Sequence, residues 1–306
     1  MKDEEVKEVL DECQRLGLGV IFWDHMGGLK YPEMKEKILH WCTLFRDHPA
    51  LLVWKVVDEP EGWWERDAGK ESDLQDLHDA VAAADPYHAN FKNHWEWKTG
   101  YGSYGGLEAT DLYSVDRYPI GRQPFNDAMT NLSALFDRMR TDARRDGKPV
   151  HFWLQMYGSY DSPREPTPKE QACQTWLSLV HGVRLISYFI YKPMSVDLWR
   201  SMKDLGSEVT RLAPVLGTPE LTGAARSDNP AVHCAAFRYG GAYYLVTVNA
   251  TDAPVKARLT LNGIYASHAR ALFENRAAPT DGRSIVDRWE PMQRHVYELR
   301  TAGAAH

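Results

Sequence analysis

Cysteine is scarce. Four occur among 306 residues, and Cys13, Cys42, Cys173 and Cys234 are scattered, with no metal-type or paired spacing. That sets aside a disulfide-stapled scaffold and leaves buried free thiols as the expectation. Long apolar runs are also missing: nothing approaches the roughly 18 residues of a membrane span. Positive charge is in deficit, with 36 Lys and Arg against 42 Asp and Glu and a net charge of −6, so no nucleic-acid footprint is expected. No Gly-rich phosphate loop follows an apolar run, no Gly-x-Ser-x-Gly elbow is present, and the 12 histidines form no His-Glu-x-x-His pattern. Nucleotide, serine-nucleophile and zinc chemistry are set aside, and no metal or cofactor is expected. The first residues, Met1-Lys-Asp-Glu-Glu-Val-Lys, read as a charged helix start and not as a signal peptide. The expectation is a cytoplasmic chain, or a secreted one whose signal was removed.

Aromatic rings, by contrast, are abundant: 11 Trp, 15 Tyr and 9 Phe in a chain otherwise of ordinary globular composition, 43% hydrophobic and 25% charged. Several lie in loops beside carboxylates, Trp23, Trp63, Trp64, Trp95 and Trp97 among them. Flat rings with polar edges stack well on the apolar faces of sugars, as on other flat or cationic ligands.

The most informative stretch is His48-Pro-Ala-Leu-Leu-Val-Trp-Lys-Val-Val-Asp-Glu-Pro60. Leu51, Leu52, Val53, Val56 and Val57 suit a strand buried on both faces, as in a parallel sheet. Pro60 cannot donate to a ladder and restrains Glu59 before it. Asp58 and Glu59 therefore end a central strand.

Strands and helices alternate around that stretch. Helices are expected over 2–16, 32–46, 71–84, 124–145, about 168–181 and 195–213, and strands at 19–24, 51–57, 89–95, 111–116, 149–155 and 185–191. Thr167, Pro168 and Glu170 supply a cap, a first-turn proline and a capping box. Such alternation implies an α/β fold with a parallel sheet, here a (β/α)8-type TIM barrel over residues 1–214. Only six strands are counted where that barrel needs eight, so its N-terminal quarter is expected to be missing and its two outer strands open to cover by a second copy of the chain. After Pro214 the texture changes to short β runs at 231–238, 242–250, 255–261, 268–273 and 293–299, with a hairpin turn at Gly240-Gly241. They predict a small antiparallel β-sandwich domain over 220–301.

In a barrel the strand ends converge on one rim. There the sequence places Asp24 and His25, Asp58 and Glu59, His94, Trp95 and Glu96, Asp116 and Tyr118, Gln155 and Tyr157, and Tyr191. Carboxylates among aromatics suit cleavage of a glycosidic bond, which needs an acid for the leaving oxygen and a second carboxylate for attack or for activating water. Glu59 is the expected acid, its proton affinity raised by Asp58 and by burial against Trp rings. Asp116 and Asp58 are the expected catalytic partners. Trp23, Asp24, His25, Trp63, His94, Trp95, Glu96, Tyr118, Trp153, Gln155 and Tyr191 are the expected contacts to a carbohydrate substrate.

These residues resemble a family. His48-Pro49 leading through Trp54 to Asp58-Glu59-Pro60 is similar to the fourth strand of clan A glycoside hydrolases. So are Asp85-Pro86-Tyr87-His88, Asp116-Arg-Tyr118-Pro119, Lys148-Pro149-Val150 leading to Gln155, Pro166-Thr167-Pro168 and His181-Gly182, in order over residues 18–195. Val248-Asn249 and Asp287-Arg-Trp-Glu-Pro291 resemble the β domain that often follows such barrels. The resemblance implies a β-linked oligo- or polysaccharide as substrate, Glu59 as acid/base, and strands three to eight of the barrel in this chain. Two positions depart from it. The family usually has Asn, a contact to the sugar 2-hydroxyl, where Asp58 stands. It also places a nucleophilic Glu on strand seven, where this chain has Gln155, and an amide cannot form a glycosyl-enzyme bond. Gln155 and the two absent strands support a second reading, a non-catalytic carbohydrate-binding protein on a degenerate barrel.

Overall fold

A computed structural model of the chain describes residues 2–26, 28–64, 68–95, 97, 109–158, 162–189 and 193–301. Six parallel strands lie in chain order in one half-barrel sheet: β1 (Val20–Phe22), β2 (Leu51–Asp58), β3 (Ala89–His94), β4 (Tyr113–Asp116), β5 (Val150–Gln155) and β6 (Leu185–Phe189). The helices between and around them are α1 (Asp3–Arg15), α2 (Tyr31–Phe45), α3 (Glu71–Ala84), α4 (Phe125–Asp146), α5 (Pro168–Val180) and α6 (Val196–Leu216). By contact density the chain divides into two compact units, residues 1–116 with 141–151, and 117–140 with 152–306.

In the first unit, α1, α2 and α3 begin alike. The backbone N–H of Lys2, Lys30 or Lys70 donates to the carboxylate of Glu5, Glu33 or Asp73 three residues on. This satisfies a helix-start N–H and sets negative charge at the positive end of the helix dipole. The apolar faces of α1 and α2 meet β1 and β2 in one core around Leu10, Ile38, Trp41, Phe22 and Trp54. Strand β2 is buried along nearly its whole length, as its apolar run requires, except for Leu52, which is exposed. Asp85 is fully buried. It accepts from Trp54 Nε1 at 2.8 Å and from the backbone N–H groups of Tyr87 and His88, so the Asp-Pro-Tyr-His turn is tied to β2.

In the second unit the expected capping box forms. The Glu170 N–H donates to Thr167 Oγ1 at 3.3 Å, and the Thr167 N–H donates to Glu170 Oε2 at 2.8 Å. Thr167→Ala is expected to lower stability by about 1 kcal/mol, read as a shift of the denaturant midpoint at unchanged slope. The remaining strands are β7 (Ala225–Ser227), β8 (Val232–Tyr239), β9 (Ala242–Asn249), β10 (Val255–Leu261), β11 (His268–Leu272), β12 (Arg276–Ala277), β13 (Ser284–Trp289) and β14 (Arg294–Arg300). They form a three-stranded sheet, β13-β10-β7, and a five-stranded one, β12-β11-β14-β9-β8. The β8–β9 hairpin closes at Gly240 and Gly241, with φ of +56° and +79°. Both values fall where only glycine is unstrained, as a two-residue hairpin turn demands. Leu245 and Tyr297 from one sheet and Leu259 and Ile285 from the other share one apolar cluster.

Candidate active site

The candidate site is built in the first unit, at the carboxyl ends of β1 to β4. Strand β2 ends at Asp58. Glu59 then takes φ +45° and ψ +56°, and Pro60 opens a short 3-10 turn, Pro60–Gly62. The left-handed region is uncommon for a residue with a Cβ and costs on the order of 1–3 kcal/mol. The surrounding contacts must hold it. The Glu59 N–H donates to the Asn93 carbonyl at 2.8 Å, and Trp63 Nε1 donates to the Asp58 carbonyl at 3.0 Å. This turn forms one wall of a cleft of about 410 Å³ whose lining includes Trp23, Asp24, His25, Asp58, Glu59 and Trp63. Six residues singled out from the sequence thus meet in one cavity.

Below the cleft lies a directed hydrogen-bond chain. Burial pushes His151 down to about 3, so its imidazole is neutral. Ser114 Oγ donates to Asn93 Oδ1 at 2.6 Å and lies 2.9 Å from His151 Nδ1, which makes His151 Nδ1–H the donor to Ser114. Ser114 fixes the Asn93 amide, whose Nδ2 donates to Asp116 Oδ1 at 2.8 Å and to Asp58 Oδ1 at 3.2 Å. Asp58 is also paired with the buried Lys55 Nζ at 2.7 Å.

Glu59 and Asp116 share a side-chain hydrogen bond. Two carboxyl groups so placed hold one proton between them, because both cannot ionise at close range. Burial raises the proton affinity of both. For Asp116 the next cause is the charge of Glu59, and together they push it up to about 8. For Glu59 the charges of Asp58 and Glu61 add to burial, while the Asp116 hydrogen bond and Lys55 oppose it. This contact corrects one expectation. Catalytic carboxyls that flank a glycosidic bond stand roughly 5–5.5 Å apart for retention and about 6.5–9.5 Å apart for inversion. A hydrogen-bonded pair leaves no room for a sugar between its members. Asp116 is the proton-sharing neighbour of Glu59 and does not stand across a substrate from it.

The other expected contacts divide. Trp23 is exposed at the cleft, with Lys55 Nζ 4.2 Å from its ring centroid and the exposed His25 edge-on to it. Asp24 lines the cleft, but its Oδ2 is taken by Lys37 Nζ at 2.7 Å and Trp41 Nε1 at 3.2 Å. Trp64, paired in the sequence with Trp63 as a loop ring, is fully buried and donates to the Lys70 carbonyl. Trp97 is buried too, its Nε1 on Asp142. His94 was expected to touch substrate; it is closed to solvent and bonded to Glu61. Trp95 is exposed outside the cleft lining. Glu96 and Tyr191 lie outside the described residues.

Tyr118, Trp153 and Gln155 belong to the second unit. Tyr118 is half-buried and stacks on Phe189 at 5.5 Å, and Trp153 is half-buried in β5. Gln155 is fully buried. Its Nε2 lies 3.1 Å from the Ile120 carbonyl, 3.1 Å from the Tyr157 carbonyl and 3.0 Å from Ser162 Oγ, while its Oε1 accepts from the Ile120 N–H at 2.8 Å. Both amide hydrogens are engaged within the protein, so the expected contact of Gln155 with substrate is replaced by a loop-locking role. The loop packs so closely that a Cβ on Gly158 would lie 2.0 Å from the Glu165 nitrogen. Gln155→Leu is expected to cost about 1–3 kcal/mol, seen in chemical denaturation, because it strands the buried Ile120 N–H and leaves the Ile120 carbonyl with Ser162 Oγ.

Sequence reading missed Lys55, Asn93, Ser114 and Glu61. Lys55 carried a signal: a single charge inside an apolar run requires a buried partner.

No family model matches the chain, and no curated protein matches it in sequence. Solved structures do match in fold. A GH42 beta-galactosidase from G. stearothermophilus, solved as a catalytic mutant, superposes with a TM-score of 0.63 at 10% identity, covering 98% of this chain and 91% of that one. A GH30 endoxylanase from Clostridium papyrosolvens gives 0.54 at 13%, over 89% and 72%. An alpha-amylase from Geobacillus thermoleovorans, complexed with acarbose, gives 0.55 at 13%, over 89% of this chain and 65% of that one. The chain spans 64% of the length of an Anoxybacillus alpha-amylase. The similarity shows a fold shared with glycoside hydrolases of several families.

Proposed function

We propose that this protein hydrolyses O-glycosidic bonds in a β-linked oligo- or polysaccharide, with Glu59 as the general acid. The observation that carries this is the place of Glu59 on the wall of a cleft beside Trp23 and Trp63, with its carboxyl, raised in proton affinity by burial, hydrogen-bonded to an Asp116 that is pushed up to about 8. Glu59 donates that proton to the leaving oxygen as the bond to the anomeric carbon breaks. Asp58 lines the same cleft and is not hydrogen-bonded to a second carboxyl among the described residues. It faces the positive charge that grows on the sugar and takes the proton from the attacking water. Trp23 and Trp63 are the sugar platforms. The fold likeness to glycoside hydrolases supports this reading.

One observation favours the second reading, binding without catalysis. Gln155, at the position where the resemblance implies a nucleophile, is an amide locked into its own loop. The two readings separate on the wild-type chain. Incubation with a panel of β-linked glycans is expected to release reducing ends. Retention of those glycans in affinity electrophoresis with no reducing ends released would establish the binding protein and overturn the hydrolase.

A further inference from the structure

The turn that carries Glu59 is anchored at its far side by a pair that the chemistry above does not use. Glu61, in the 3-10 turn, bonds through Oε1 to Nδ1 of His94, the last residue of β3. The two side chains are 8% and 1% exposed. Burial favours the neutral imidazole, so Nδ1–H donates to the Glu61 carboxylate. The outer atoms, Glu61 Oε2 and His94 Nε2, are shut from solvent and meet no hydrogen-bonding partner among the described residues. Buried polar atoms left in that state oppose folding, so these outer atoms give the pair no reason to be buried.

Its position does. The end of β3 grips the turn twice, on either side of Pro60: the Asn93 carbonyl accepts from the Glu59 N–H, and His94 holds Glu61. Glu59 is the one non-glycine residue with positive φ among the described residues of the first unit. We propose that the Glu61–His94 pair is the clamp that keeps Glu59 in its left-handed conformation with its carboxyl against Asp116, which makes His94 a positioning residue of the site. The catalytic consequence rests on Glu59 being the acid; the clamp itself does not.

The test uses the full chain with ¹³C-labelled glutamate carboxyls. The Glu59 signal is identified by its loss in Glu59→Gln. Groups facing Glu59 are Lys55 and Asp58 from β2, Glu61 from the turn and Asp116 from β4. In the wild type, Glu59 is expected to titrate above the ordinary range and to respond to Asp116→Asn. In His94→Leu its midpoint is expected to fall by about one pH unit or more and to lose that response. In His94→Asn, whose amide N–H can take the place of Nδ1–H, both properties are expected to return. An unchanged Glu59 titration in folded His94→Leu overturns the clamp.

If His94→Leu does not fold, the comparison passes to Glu61→Gln and Glu61→Ala. Both remove the charge, but only glutamine still accepts from His94. A lower Glu59 midpoint in the alanine variant than in the glutamine variant supports the clamp, and equal midpoints overturn it. On a cleaved glycan, His94→Leu is expected to lower kcat by about tenfold or more with KM nearly unchanged, and His94→Asn to restore it. A wild type that cleaves nothing but shows the titration shifts keeps the clamp and removes the hydrolase reading.

Discussion

Glu59→Gln is expected to lower kcat by a factor of about 10²–10⁴ on any glycan the wild type cleaves, with KM little changed, because it removes proton donation made only as the bond breaks. Glutamine is nearly isosteric and can still hydrogen-bond Asp116, so a normal melting transition is expected. The diagnostic is the leaving group. A natural glycan leaves as an alcohol and needs the proton; an activated aryl glycoside leaves as a weakly basic phenolate and does not. The loss is therefore expected to be at least about tenfold smaller on the aryl substrate. Equal losses on both would mean that Glu59 orients substrate without donating a proton, and no loss would remove it from the site.

That Glu59 could be picked out from sequence follows from how local its signals are. A run of apolar residues ending in Asp-Glu-Pro requires a buried strand and an abrupt stop, and β2 and its 3-10 turn are that. Helix α3 lies over the anticipated residues 71–84, and the capping box at Thr167 and the Gly240-Gly241 hairpin follow from chemistry within four residues. Strand β13 did not stand out, since Asp287 and Arg288 interrupt its apolar pattern. Asp287 belongs to an ion-pair and hydrogen-bond network with Arg276 and Tyr297 that forms only in three dimensions, and Arg288 pairs with Glu290.

The site divides on the same line. Which residues end strands was legible; what each side chain meets was not. Asp24 reads like Asp58 in sequence, and each is paired with a lysine at the cleft, yet the Asp24 side chain is 7% exposed and that of Asp58 37%. Trp63 and Trp64 are adjacent, but the turn directs one to the cleft and the other into the core. The separation of Glu59 from Asp116 depends on the pairing of β2, β3 and β4, which sets Asp58 beside Asn93 and Asn93 beside Ser114. Register of that kind has no signature within any one strand.

The same pairing makes Asp116→Asn the most informative stability variant. The folded Glu59–Asp116 pair keeps its shared proton to about pH 8, whereas an unfolded aspartate loses its own near the ordinary value of 3.8. Between those limits the native state binds more protons than the unfolded one, so this group's contribution to stability falls as pH rises through the window and is most unfavourable above it. Asparagine removes the titration without removing the contacts: its oxygen still accepts from Asn93 Nδ2, and its N–H can donate to Glu59. The variant is expected to melt with the wild type near pH 4 and above it by pH 8–9, by an amount on the order of 2–4 kcal/mol. Activity is expected to move the other way. An amide donor beside Glu59 stabilises its carboxylate, so the acid loses its proton earlier and the alkaline limb of the kcat profile shifts down by about one pH unit or more. Equal melting differences at pH 4 and pH 9 would mean that Asp116 is ionised throughout, and the shared proton, with the acid role it gives Glu59, would go with it.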